Sequence, residues 1–222
     1  RRRSKWRSNG EERRMIALQR PEFRLVLASA SAARRRLLEG AGLSLEVRTS
    51  PVDEALVRAG LKADGVAADE AAVALASLKG ERVAASAARD EIVLAGDQLL
   101  ESADGAWPDK PEDAAALEAQ LTRLAGTTHT LHTAAVLFRG GSRVWHEVVR
   151  PRVTLRALSP AMIRCYVELA GDEALGCVGG YQIEGLGAHL LAEIRGDAFA
   201  VQGLPLLQVL AALRTQGVLA DG

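Results

Sequence analysis

The strongest constraint on this chain is its alternation: short apolar runs break into small polar residues, and stretches with helical spacing follow them. Phe23–Ala30 reads as a buried strand, and Ala32–Gly40 as a helix stopped by Gly40 and Gly42. Leu43–Thr49 reads as a second strand, closed by Ser50-Pro51. Val66–Ala87 reads as one Ala-rich helix, or two, interrupted at Gly80. Glu91–Leu100 (EIVLAGDQLL) reads as a strand interrupted at Gly96-Asp97. A turn-rich loop, Gly105–Pro111, leads to a helix capped by Glu112-Asp113 and ended by Gly126. Thr128–Arg139 and Val144–Leu155 read as a hairpin turning at Gly140-Gly141-Ser142. Ser159-Pro160 starts a helix to about Ala170, with serine as cap and proline in the first turn. Cys177–Gly187 is too glycine-rich to be regular, Ala188–Arg195 reads as a strand, and Pro205 opens a last helix ended by Gly217. This order predicts an α/β fold: a mixed, twisted sheet with flanking helices.

The 222 residues suit one domain, or one domain of two lobes around a cleft. Lys plus Arg and Asp plus Glu number 28 each, so the formal net charge is zero. A long footprint on nucleic acid needs a basic excess, so stable nucleic-acid binding is not expected. A small phosphorylated ligand needs only a few local cations. No apolar run approaches the roughly 18 residues of a membrane helix, and no membrane partner is expected. Cys165 and Cys177 form no CxxC and read as buried thiols in a reducing compartment. Arg1–Arg14 carries seven Lys or Arg and two Glu. Residues 1–20 therefore read as a basic leader, disordered or wrongly assigned, with Met15 able to serve as the start; residues 21–222 are the folded domain.

Several segments deliver charged or small residues where an apolar run ends or breaks. Ser29-Ala30-Ser31 followed by Arg34 and Arg35 joins a strand to a helix. Small residues there let backbone N–H groups approach an anion, and an arginine can clamp phosphate with two parallel hydrogen bonds. Asp97 is the most conspicuous residue, because a carboxylate inside an apolar strand is costly unless paired, hydrogen-bonded or on a metal. With Glu54, in Val52-Asp53-Glu54, it can form an oxygen-ligand site suited to Mg²⁺ or Mn²⁺. Lys110, fixed by Pro111, can act as a point charge on phosphate. Gly179–Gly187 places four glycines around Gln182 and Glu184, a pattern for close approach to a ligand. His129 and His132 are three apart in a strand and so do not pair on a metal. No HExxH, Walker A or nucleophile elbow is present.

The order of these segments resembles the Maf family. The resemblance rests on Leu27-Ala28-Ser29-Ala30-Ser31 with Arg34, on Pro51-Val52-Asp53-Glu54 and on helical Lys79. It continues through Ala95-Gly96-Asp97-Gln98, Lys110-Pro111, Gly126-Thr127-Thr128-His129, Glu184-Gly185-Leu186-Gly187 and Gly203-Leu204-Pro205-Leu206, from about Arg24 to Leu213. It implies a Maf/ITPase-like fold and a cytoplasmic, often homodimeric, metal-dependent nucleoside triphosphate pyrophosphatase. It also implies roles: Asp97 and Glu54 at the metal, with Asp97 alternatively activating water. Arg34, Lys79 and Lys110 would neutralise the triphosphate, Ser29 and Ser31 would donate to phosphate, and Gln98 and Glu184 would contact substrate. The chain departs from the family's Ser-Pro at Ala32, and Ala33 replaces an Arg or Trp. Asp97-Gln98, Glu184-Gly185 and Arg34-Arg35 lean towards the 7-methyl-GTP branch rather than the dTTP/UTP branch. The alternative is a catalytically weak nucleotide-binding regulator of cell division on the same fold.

Overall fold

The computed structural model describes residues 18–49 and 51–220. Seven strands form one mixed sheet in the order β2-β1-β3-β4-β6-β7, with β5 pairing β4 beside this path. The strands are β1 (Arg24–Leu27), β2 (Leu45–Val47), β3 (Glu91–Glu101), β4 (Thr128–Arg139), β5 (Ser142–Val149), β6 (Arg152–Leu155) and β7 (Leu191–Arg195). β1 runs parallel to β2 and β3; the remaining pairings are antiparallel. The longer helices are α1 (Ala32–Gly40), α2 (Glu54–Ala63), α3 (Ala68–Ala84), α4 (Ala114–Leu124) and α5 (Pro160–Ala170). Two short helices follow, α6 (Asp172–Leu175) and α7 (Ala198–Val201), and the last is α8 (Leu206–Thr215). This is the mixed α/β architecture expected.

The long strands β3 and β4 tie two lobes together. Two apolar clusters cover the faces of the β2-β1-β3-β4 half, one with α1 and α8, the other with α3. A third cluster, with α4 and α5, fills the half containing β6 and β7. Ala95 and Leu99, on either side of Asp97, belong to the α3 cluster, and Leu100 already packs in the third, so Asp97 lies on the α3 face of β3 near the junction of the two lobes.

Several sequence expectations are corrected. β3 continues through Gly96-Asp97, because both stay in register with Ala135 and Ala134 of β4. α3 continues through Gly80, because the missing Cβ is what lets the helix lie on the sheet: a Cβ there would come within 2.4 Å of the Phe138 ring. The segment Val144–Leu155 is two strands, broken at Pro151, which has no N–H for the ladder. Ala188–Leu190 belongs to a 3₁₀ turn, Leu186–Leu190, before β7. The short α6 and α7 and the longer α2 were unexpected. Leu18–Arg20, assigned to the leader, pair with the C-terminal segment: Gln19 bridges Leu219 and Arg20 N–H donates to Val218. The rest of the proposed leader, 1–17, lies outside the described residues. Cys165 is exposed and Cys177 half-buried, rather than both being buried. No described helix is long and apolar enough to cross a membrane.

The Gly80 contact gives a direct test. Alanine in a helix gains about 1 kcal/mol over glycine, but overpacking a closed core costs up to about 3 kcal/mol. Phe138 is fully buried, and Ala95 Cβ also lies 3.2 Å from the position a Cβ at Gly80 would take. Gly80→Ala is therefore expected to lose about 2 kcal/mol net, read as a lower urea midpoint. An unchanged or raised midpoint would contradict this packing.

Candidate active site

Strand periodicity sorts the site residues onto two faces of β3. Val93, Ala95 and Leu99 face α3; Asp97 shares their parity and meets Lys79 from that helix. Lys79 follows Ala72, Leu75 and Ala76 at helical spacing, so it sits on the buried stripe of α3. Its ammonium lies 2.5 Å from Asp97 Oδ1 and 2.8 Å from Glu54 Oε2. Asp97 is 4% exposed, and Oδ2 has no hydrogen-bond partner among the described residues. Glu54 opens α2; Asp53 caps that helix by accepting from the Leu56 N–H. An acid in the first turn also interacts favourably with the helix dipole.

Glu91 shows what a merely structural buried acid looks like here. Arg48 donates to both of its oxygens and Ala88 N–H to one. Those bonds, the Arg48 one foremost, hold its carboxyl below the usual range. Asp97 differs in keeping an oxygen free.

The other face of β3 receives Arg34. Its Nε donates to the Gly203 carbonyl at 2.7 Å, and its Nη1 to Ser29 Oγ at 3.0 Å. Gly96 makes room: a Cβ there would lie 3.2 Å from Arg34 Nε and 3.0 Å from the Ala134 carbonyl. Burial lowers the guanidinium pKa, while the charges of Asp97 and Glu54 oppose that shift. Arg34 is thus a buried cation that feels the charge of both acids, and among the described residues only Nε and Nη1 of its guanidinium have hydrogen-bond partners. Ser31 caps α1 by accepting from the Arg34 N–H.

Not every expected site residue joins this centre. Gln98 Nε2 donates to Thr133 Oγ1 and the Ala200 carbonyl, both at 2.8 Å, tying β3 to β4 and α7. Glu184 pairs with exposed Arg36 at 3.4 Å. Exposed Lys110 follows Asp109, which pairs with Arg58 of α2. The Cys177 thiol, raised chiefly by burial, feels the charges of Glu184, Lys110 and Arg36 together. Glu184 and Arg36 thus make a separate, exposed ion pair. Below it the glycine-rich segment is pinned by buried polar groups. Gln120 donates to the Val178 carbonyl, Tyr166 to the Gly180 carbonyl, and His129 Nε2 lies 2.6 Å from Tyr181 Oη. Sequence reading missed the Gly203 carbonyl, Arg36 and the Arg58–Asp109 pair. Only Gly203 carried a signal, in its GLPL segment, and its partner Arg34 is 169 residues away.

A family model described as "Maf-like protein" matches residues 24–216. The chain belongs to the Maf-like family. A relative named nucleoside triphosphate pyrophosphatase, from Rhodospirillum rubrum, is 44% identical over 195 residues, covering 88% of this chain and 96% of that protein. Another of that name, from Gluconobacter oxydans, is 41% identical over 88% of this chain and 96% of its own length. A relative from Rhizobium etli named 7-methyl-GTP pyrophosphatase is 39% identical, covering 90% of this chain and 98% of that protein. A crystal structure of a nucleoside-triphosphatase / dITP/XTP pyrophosphatase from Mycobacterium abscessus aligns over 88% of this chain and 95% of its own, at 15% identity and a TM-score of 0.38, too low to carry an argument. In this Maf-like chain the matched span takes in both lobes, the Asp97–Lys79–Glu54 centre and the Arg36–Glu184 pair.

Among the described residues no three His, Cys, Asp or Glu gather as a metal cluster. The two carboxylates nevertheless converge on one positive point, the Lys79 ammonium. A divalent cation held by one or two carboxylates, with phosphate oxygens and water completing its shell, is the usual Mg²⁺ arrangement. The residues present fit such an ion.

Proposed function

We propose that this Maf-like protein is a nucleoside triphosphate pyrophosphatase, releasing a nucleoside monophosphate and pyrophosphate. The observation that carries the reading is Asp97: a buried acid with one free oxygen, set among Lys79, Glu54 and Arg34. The names of the relatives support it.

Asp97 and Glu54 are the residues that would hold Mg²⁺ or Mn²⁺, and the ion would offset negative charge on the phosphates. Arg34 presents its unused donors to the triphosphate, and Ser29 Oγ, which already accepts from Arg34, keeps its own proton to donate. Water attacks the α-phosphorus in line with the oxygen bridging to the β-phosphorus. The new O–P bond forms as the bridging bond breaks, and pyrophosphate takes the bond's electron pair. Asp97 Oδ2 accepts the water's proton. Lys79 and Lys110 stabilise the charge that gathers on the leaving group. Glu184 pairs with Arg36, and the Glu184-Gly185 pair leans the base preference towards a 7-methyl-GTP-like substrate. The partner is the nucleotide itself; a cytoplasmic homodimer is the assembly this reading favours.

The test is a panel of dTTP, UTP, CTP, GTP and 7-methyl-GTP with Mg²⁺ or Mn²⁺, followed by pyrophosphate release. Turnover of one or two of these, absent under EDTA, supports the reading; intact triphosphate binding without any turnover would replace it with the regulatory binder. Lys110→Met is expected to lower kcat/KM roughly 10- to 100-fold, the loss of one point charge on phosphate. Lys110→Arg should retain most of that rate. Equal loss in both variants would remove the charge from the explanation.

A further inference from the structure

Lys79 is an odd residue for its place. It sits on the apolar stripe of α3, its side chain is only 11% exposed, and its ammonium meets two carboxylate oxygens from different elements. The ammonium occupies the one point on which Asp97 Oδ1 and Glu54 Oε2 converge. A second cation cannot share that point; like charges at contact distance repel strongly where water is scarce. An ion entering there must displace the lysine. The displaced ammonium then remains in a largely apolar setting, where a charge without a partner is costly. A triphosphate removes that cost by offering its own oxygens. The lysine stem is long and flexible and delivers a point charge, so its head can change partner without moving α3.

We infer that Lys79 is a built-in stand-in for the metal: it closes the Asp97–Glu54 site to a free divalent cation and opens it when a triphosphate arrives to receive its ammonium. Metal and nucleotide therefore bind as a coupled pair, each tightening the other by the same factor. This inference rests on the pyrophosphatase reading of the site and adds to it an order of assembly.

The probe is Mn²⁺ alone, followed by the loss of the free-ion electron paramagnetic resonance signal, and then Mn²⁺ with a non-hydrolysable α,β-methylene triphosphate, corrected for ion held by free analogue. Wild type is expected to bind Mn²⁺ weakly alone and at least roughly tenfold more tightly with the analogue, the range of ordinary coupling between sites. Lys79→Met removes the competing charge, so Mn²⁺ alone should bind roughly 10- to 100-fold more tightly than to wild type, while turnover falls. Lys79→Arg keeps the charge and should stay as weak as wild type. If Lys79→Met does not fold, Lys79→Gln is read in the same way. Analogue binding to wild type with and without Mn²⁺ gives the reciprocal measurement, and independence from Mn²⁺ overturns the coupling. Neutral variants that bind Mn²⁺ no better than wild type overturn the stand-in role while wild-type turnover leaves the pyrophosphatase reading in place. No turnover and no binding of the metal–analogue pair by wild type defeats that reading itself.

Discussion

Asp97→Asn is expected to lower the rate of pyrophosphate release at least roughly a thousandfold while leaving the fold intact, in line with the loss of a central charged group at a reacting centre. The substitution is nearly isosteric and keeps an oxygen for Lys79. It removes the charge that would hold a cation and the oxygen that would take a proton. The side chain is buried in a continuous strand whose ladder partners are backbone groups, so the sheet does not depend on its charge. A circular dichroism spectrum and urea midpoint close to wild type, with turnover gone, is the predicted combination. Near-normal turnover would remove Asp97 from the mechanism.

Acid should destabilise the protein before its carboxylates begin to protonate. His129 is buried, and burial pushes its pKa from 6.5 down to about 4. Tyr181 Oη satisfies Nε2, while Nδ1 has no partner among the described residues. Below pH 6.5 the unfolded chain takes up a proton at this residue and the folded chain does not, until about pH 4. Stability therefore falls as pH drops through that window. By linkage, about 2 kcal/mol should be lost between neutral pH and pH 5. Asp69, Asp90 and Glu91 have carboxyls held below their ordinary values, so their contributions fade only at lower pH. The urea midpoint measured at pH 7.5 and pH 5 checks this. His129→Gln, which can still bond Tyr181, should show a shallower loss than wild type; parallel curves would show that another group titrates.

Most of the sheet was legible because its central strands β3 and β4 are long and apolar and because glycine or proline marks the turns between strands. Asp113 and Ser159 cap α4 and α5 where their spacing predicted. α2 was not legible: it is short, none of its residues is fully buried, and its first residue Glu54 read as an acid at the end of a strand. The two breaks assigned to glycine were wrong for a shared reason. Gly80 and Gly96 serve close approach, to Phe138 and to Arg34, rather than an end of structure. Asp97 could be picked out because it puts a charge where an apolar side chain belongs, whereas Lys79 entered only through the family resemblance. Glu54 had been grouped with Asp97 from the sequence; the ion pairs that Lys79 makes with both needed the fold. Gln98 shows the limit of reading adjacent residues as one motif, since the strand turns it away from Asp97 and towards α7.

The most direct measurement of the central claim is the identity of the products. The purified protein is incubated with its best triphosphate and Mg²⁺ in ¹⁸O-labelled water, and the products are resolved by ³¹P nuclear magnetic resonance and mass spectrometry. Attack at the α-phosphorus predicts monophosphate and pyrophosphate in equal amounts, with the label in the monophosphate alone. Diphosphate with orthophosphate, or label in the pyrophosphate, would contradict the assignment of this site.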